Sequence, residues 1–208
     1  PITLSRPIGA SLQNKRNCLM TFNEANAVEQ MVLDACVSNG WTYAAGPTLS
    51  RQASDVFVES SLRRTLVKLN PEIAEQPDRA DEVIYKLRAI LLSVQNDGLV
   101  RSNEALAAWI KGDKTMPFGA NGGHTTVRLF DFETPASNEL IVCNQWTYKV
   151  GQLEKRFDVV LLVNGLPIII GEAKTPVRPA VTWVDGASQV HDDYEESVPA
   201  MFVPNVFS

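Results

Sequence analysis

Asp158, Glu172 and Lys174 are the residues of this chain whose types and spacing could do chemistry. They read Asp-x13-Glu-x-Lys across two consecutive apolar runs, 157–163 and 167–174, joined at Asn164-Gly165-Leu166. Two carboxylates beside an ammonium suit phosphodiester hydrolysis. Mg²⁺ takes hard oxygen ligands, keeps several waters and commonly needs only one or two protein carboxylates. Such an ion acidifies a water and stabilises charge building on a phosphate, while a lysine can orient that water or neutralise the phosphate. The backbone carbonyl of Ala173, between the two side chains, is a candidate third ligand.

Spacing alone leaves two readings open. Chance supplies roughly one Glu-x-Lys tripeptide in a chain this long, and a salt-bridged strand end with Asp158 as a plain surface carboxylate fits equally. Context favours the site. Ile168, Ile169 and Ile170 are apolar, so the charges stand at the mouth of a buried strand, where they are costly unless paired. Glu172 and Lys174, two apart on a strand, share a face. Strand register decides whether Asp158 joins them. A plain two-residue turn at Asn164-Gly165 sets Asp158 opposite Gly171 and points the two carboxylates apart. A three-residue loop, or an equivalent one-residue bulge, sets Asp158 opposite Glu172 with their Cβ atoms about 4.5–5.5 Å apart. The second arrangement is the expectation.

The elements that must position these residues fall into two blocks. The first half is helical by pattern. Asn23 can cap a helix to Asn39, with Val28, Met31, Val32 and Ala35 on one face and Gly40 ending it. Asp55 can cap a second helix with a Val58, Leu62, Leu66, Leu69 stripe. Asn70-Pro71 stops it and opens the next. Val83, Ile84, Leu87, Leu91 and Val94 make a third stripe, and Ser102 starts a short helix closed by Gly112. Beyond Gly112 the period shifts towards two, predicting strands over 125–131, 140–149, 157–163 and 167–174. A last helix is expected over about 180–196. The reading is a single α/β domain spanning 1–208, with a helical insertion over about 51–112 and a catalytic sheet and following helix over about 125–197.

Composition bounds the partners. The chain has 208 residues, enough for one sizeable core, with 45% hydrophobic and 21% charged residues. No stretch approaches the apolar length a membrane-spanning helix needs, and the start lacks a signal-peptide pattern. The three cysteines are widely spaced and form no CxxC pair, which argues against a structural zinc and suits a cytoplasmic setting. The net charge of -5 means that the chain advertises no basic face, although phosphate neutralisation supplies most DNA affinity. If it acts on DNA, something else must hold the DNA for it. The loop 118–123 has glycines but no Lys-Ser/Thr behind them, so it is no nucleotide P-loop.

The stretch 127–205 resembles the N-terminal nuclease region of type I restriction-enzyme motor subunits. The resemblance is carried by 127–132 (VRLFDF), 140–146 (LIVCNQW), 155–167 (KRFDVVLLVNGLP) and 172–174 (EAK), with upstream helices including 69–72 and 86–92. It implies a restriction-endonuclease-like fold of the PD-(D/E)xK type, a mixed central sheet flanked by helices. It also implies that Asp158 and Glu172 bind Mg²⁺ and that Lys174 is the catalytic lysine. Phe157 stands where many members have Pro. Members also place a Gln and a Tyr four apart on the helix after the lysine, whereas Gln189 and Tyr194 are five apart here. Five residues rotate about 140° around an α-helix, so the pair is not expected to face one site. The fold tends to use a Glu on its first core helix, and Glu29 fits that spacing as a further metal carboxylate.

The same resemblance implies a wider setting. The chain is expected to be a fragment of a longer protein whose downstream motor domains bind ATP. Methyltransferase and specificity subunits would be its partners, and unmodified double-stranded DNA its substrate. Within this framework two other readings remain: a self-sufficient repair or resolvase-like nuclease, and a non-catalytic docking module.

Overall fold

A computed structural model describes residues 24–173 and 183–206. Its centre is a four-stranded sheet in the order β1-β4-β5-β6, made by β1 (Thr42–Ala45), β4 (Leu140–Val150), β5 (Leu153–Val163) and β6 (Leu166–Gly171). β1 runs parallel to β4, while β4, β5 and β6 are antiparallel neighbours. A separate two-stranded ribbon pairs β2 (Thr115–Met116) with β3 (Thr125–Thr126).

Helices cover both faces of the sheet, as its alternating apolar residues require. On one face lies α1 (Glu24–Ser38), where Leu33 and Cys36, with Trp41 beyond the helix, pack on Val142, Val159 and Leu161. On the other lie α2 (Glu59–Leu69), α3 (Pro71–Glu75), α4 (Arg79–Asp97) and α5 (Leu99–Ile110). Their buried Leu62, Leu66, Leu87 and Leu106 share one core with Cys143, Trp146, Phe157, Leu162 and Ile170. After the sheet come α6 (Trp183–Ser188), a π-helical turn over Gln189–Tyr194 and α7 (Glu195–Ser197). This is the mixed α/β class expected, a sheet flanked by helices.

Several elements differ from the sequence reading for physical reasons. The buried stripe of α1 is Glu29 and Leu33, whereas Met31 stands 70% exposed. The apolar content of that helix misled because a buried carboxylate occupies its inner face. Asp55 caps no helix; its carboxylate accepts from the Gln52 amide, and α2 begins at Glu59 instead. α5 starts three residues before Ser102, whose buried hydroxyl lies 3.3 Å from that of Ser93 on α4. Of the strand expected over 125–131, only Thr125–Thr126 pairs. β1 has no counterpart in the sequence reading: four residues at a sheet edge carry too short a pattern to read. The Asn23 cap lies outside the described residues.

Candidate active site

The β5–β6 hairpin fixes the register on which the site depends. Val163 pairs with Leu166, so Asn164-Gly165 forms a two-residue turn. Both residues have positive φ, 52° and 87°, as a type I′ turn demands. The pairing then slips by one: Leu162 faces Pro167 but Leu161 faces Ile169. Ile168 is thus the extra residue of a β-bulge, and its carbonyl accepts from the Val206 amide at 2.8 Å. The last ladder pair is Val159 with Gly171; continued one step, this register would set Asp158 opposite Glu172. Of the two equivalent arrangements, loop or bulge, the chain uses the bulge.

The turn itself is anchored. The Asn164 side chain accepts from the Glu139 amide and donates to the Leu129 carbonyl and to Asn138 Oδ1, at 2.8–2.9 Å. The Gly165 carbonyl accepts from the Val58 amide at the start of α2. Hydrogen bonds therefore tie the hairpin both to the sheet's approach loop and to the helical layer.

Beyond the ladder, the Ala173 amide donates to Asp158 Oδ2 at 3.0 Å, which ties the carboxylate of one strand to the exit of the other. Glu172 and Ala173 are half-buried there. Tyr194 is buried on the same side, with its ring edge-on to Phe157 at 5.1 Å and Lys155 Nζ 5.3 Å from its centroid. Burial raises the Tyr194 pKa, and the charges of Glu172, Asp158 and Asp193 raise it further, against the lowering effect of the Gln189 bond. Both candidate metal carboxylates therefore act on this phenol. Lys174 lies outside the described residues.

The separation expected for Gln189 and Tyr194 is corrected. Gln189 Nε2 donates to the Tyr194 hydroxyl, so the two side chains meet. The angular argument assumed an α-helix, but Gln189–Tyr194 is a π turn. Such a turn bonds each residue to the one five along, which brings residues five apart onto one face.

Glu29 is placed differently from the two strand carboxylates. It is 8% exposed, and its two oxygens accept from Asn144 Nδ2 at 2.6 Å and Gln145 Nε2 at 3.3 Å. Tyr43 in turn donates to Asn144 Oδ1 at 2.9 Å. Among the described residues, no group of three or more His, Cys, Asp or Glu side chains could hold a metal ion. The structure thus juxtaposes Asp158, Glu172 and Ala173, and gives Glu29 carboxamide partners instead. Asn144 and Gln145 are the polar residues that sequence reasoning passed over. Their signal was present: two adjacent amides interrupt an otherwise apolar strand between Cys143 and Trp146.

Residues 21–208 match the family model described as type I restriction enzyme R protein N terminus. The chain belongs to that family. It is 29% identical over 192 residues to the type I restriction enzyme HindI endonuclease subunit of Haemophilus influenzae, an alignment covering 86% of this chain and 17% of that protein. A Methanocaldococcus jannaschii sequence, named provisionally as the type I restriction enzyme MjaIXP endonuclease subunit, is 28% identical over 167 residues. That match covers 74% of this chain and 15% of the relative. The chain therefore spans about a sixth of the length of these relatives. No described helix of this R protein N terminus is long and apolar enough to cross a membrane.

Proposed function

We propose that this domain is a Mg²⁺-dependent DNA endonuclease of the PD-(D/E)xK type, acting within a type I restriction system. The observation that carries the reading is the bond from the Ala173 amide to Asp158 Oδ2, which sets the Asp158 carboxylate beside the chain leaving β6 through Glu172. Two hard carboxylates and the Ala173 carbonyl suit Mg²⁺, which needs few protein ligands. When bound, that ion would acidify a water and stabilise charge on the phosphate. Asp158 and Glu172 would hold it, with the Ala173 amide keeping Asp158 oriented. Lys174, assigned by its spacing from Glu172, would orient the attacking water or neutralise the phosphate. Gln189 and Tyr194, whose contact lies in the field of both carboxylates, would contact DNA or support the site from the following helix.

The substrate is unmodified double-stranded DNA, delivered by ATP-driven translocation in motor domains of the full-length protein. Methyltransferase and specificity subunits are its partners in the cytoplasm. The charge distribution supports delivery by others. Arg63 and Arg88 pair with Glu59, Arg64 with Glu139, and Lys155 with Asp193, so these cations are already engaged within the fold.

Calorimetric titration with Mn²⁺ tests the site directly. Binding is expected in the native chain, lost in Asp158→Ala and retained in Glu104→Ala, an exposed change on α5. Retention of binding in folded Asp158→Ala would refute the assignment. Absence of binding in the folded native chain would favour a docking module instead.

A further inference from the structure

The strand opposite Asp158 carries a backbone irregularity that the bulge in β6 does not explain. Gln145 sits in the middle of β4 with φ 57°, in the left-handed region that a non-glycine residue rarely adopts. The β4–β5 ladder pairs Asn144 with Val159 and Trp146 with Phe157, but omits the rung between them, Gln145 with Asp158. Equal numbers of residues are skipped on the two strands, so this is a local twist rather than an inserted residue.

Side-chain direction shows how large that twist is. Successive residues of a strand point to opposite faces, so residues three apart cannot share one. Yet Cys143 and Trp146 both enter the main core, and so do Phe157 and Val160. Both strands therefore change phase at the same rung. On β4 the change leaves Asn144 and Gln145 reaching together for Glu29 on α1. On β5 it frees Asp158 from the ladder, and its carboxylate takes the Ala173 amide instead. The loop after β1 presses on the same place. A Cβ on Gly46 would stand 2.6 Å from the Asn144 carbonyl oxygen and 2.7 Å from that of Gln145, so only glycine allows this approach.

We infer that Gln145 is a positioning residue: its left-handed backbone, more than its side chain, releases Asp158 from the sheet and turns its carboxylate towards Ala173 and Glu172. Strain at a functional site is retained where the surroundings over-determine it, and here Glu29, Gly46 and two apolar faces do so. The inference rests on the metal-site reading only for its consequence, not for the geometry.

Two substitutions separate backbone from side chain. Gln145→Gly and Gln145→Ala both remove the amide that reaches Glu29, but only alanine resists the left-handed conformation. In the 208-residue chain, exchange of the Ala173 amide proton, followed by NMR, reports on the Asp158 bond without any metal. Protection is expected to be about tenfold lower in Gln145→Ala than in Gln145→Gly, because alanine, like the native glutamine, carries the left-handed penalty that glycine is spared. Mn²⁺ affinity should fall in parallel, because only the competent conformer binds. Equal Ala173 protection in the two variants, both folded by circular dichroism, would overturn the inference. Lower protection in Gln145→Ala than in Gln145→Gly, without Mn²⁺ binding by any variant, the native chain included, would uphold the positioning role and sink the metal reading alone.

Discussion

Replacing Gly165 by alanine tests whether the β5–β6 hairpin is locked to the helical layer. Gly165 has φ 87°, and a Cβ there would stand 2.5 Å from the Val58 carbonyl oxygen, 3.0 Å from Ser61 Cβ and 3.2 Å from the Leu62 amide nitrogen. The nearest obstacles are backbone atoms at the start of α2, so no rotamer change relieves them. The left-handed conformation alone costs alanine about 1–2 kcal/mol. Overpacking adds about 1–3 kcal/mol, and the Val58 amide bond to the Gly165 carbonyl is worth about 1 kcal/mol if the turn withdraws. A total loss of about 3–6 kcal/mol follows from these contributions. For a chain of this size each kcal/mol lowers Tm by about 2–4 °C, so a fall of roughly 6–24 °C is expected.

Gly151→Ala is the internal control. Gly151 turns the β4–β5 hairpin with φ 59°, but a Cβ added there would meet nothing within 4 Å. It should therefore show the backbone penalty without the steric one. Urea unfolding of both variants gives the comparison, with the slope checked for a change of denatured state. If Gly165→Ala costs no more than Gly151→Ala, the close packing of the hairpin against α2 does not limit this position and the reasoning fails.

Alkaline pH offers a second test. Burial pushes the Cys143 thiol up to about 12, against lowering effects from Arg51 and the Val160 backbone. The folded state keeps this proton while the unfolded chain gives it up near pH ~8.5, so stability is full below that pH and falls as pH rises towards 12. The loss is on the order of 5 kcal/mol at the upper end, and urea midpoints for Cys143→Ala should decline less steeply over that window; parallel declines would refute the assignment. Tyr194→Phe removes the acceptor of the Gln189 bond, with an expected cost of about 1 kcal/mol in urea unfolding. Unchanged stability would mean that the bond contributes nothing to the turn.

What the sequence disclosed depended on how local its physics was. The stripe Val83, Ile84, Leu87, Leu91 and Val94 is buried along α4 as its spacing required, and Asn70-Pro71 ends one helix and opens the next. The one-residue shift in the β5–β6 register was legible because a plain two-residue turn without it would have pointed the Asp158 and Glu172 carboxylates apart. The means was not: a type I′ turn plus a bulge at Ile168 gives the same pairing as a wider loop. Glu29 could be picked out on its helix, but its amide partners come from β4, 115 and 116 residues away, and such contacts leave no local trace. The phase change at Gln145 likewise arises from tertiary packing, since nothing in a residue's type announces a positive φ inside a strand.

The π turn has a consequence for how members of this family are compared. A rule written as fixed spacing treats one inserted residue as a broken motif, because each later side chain rotates away by about 100° in an α-helix. Here the backbone is wound as a π turn between Gln189 and Tyr194, so two side chains five apart still meet. What persists is a contact in space, not an interval along the chain. An alignment that scores columns four apart would discard Tyr194, whereas one that admits a single gap inside the helix would keep it.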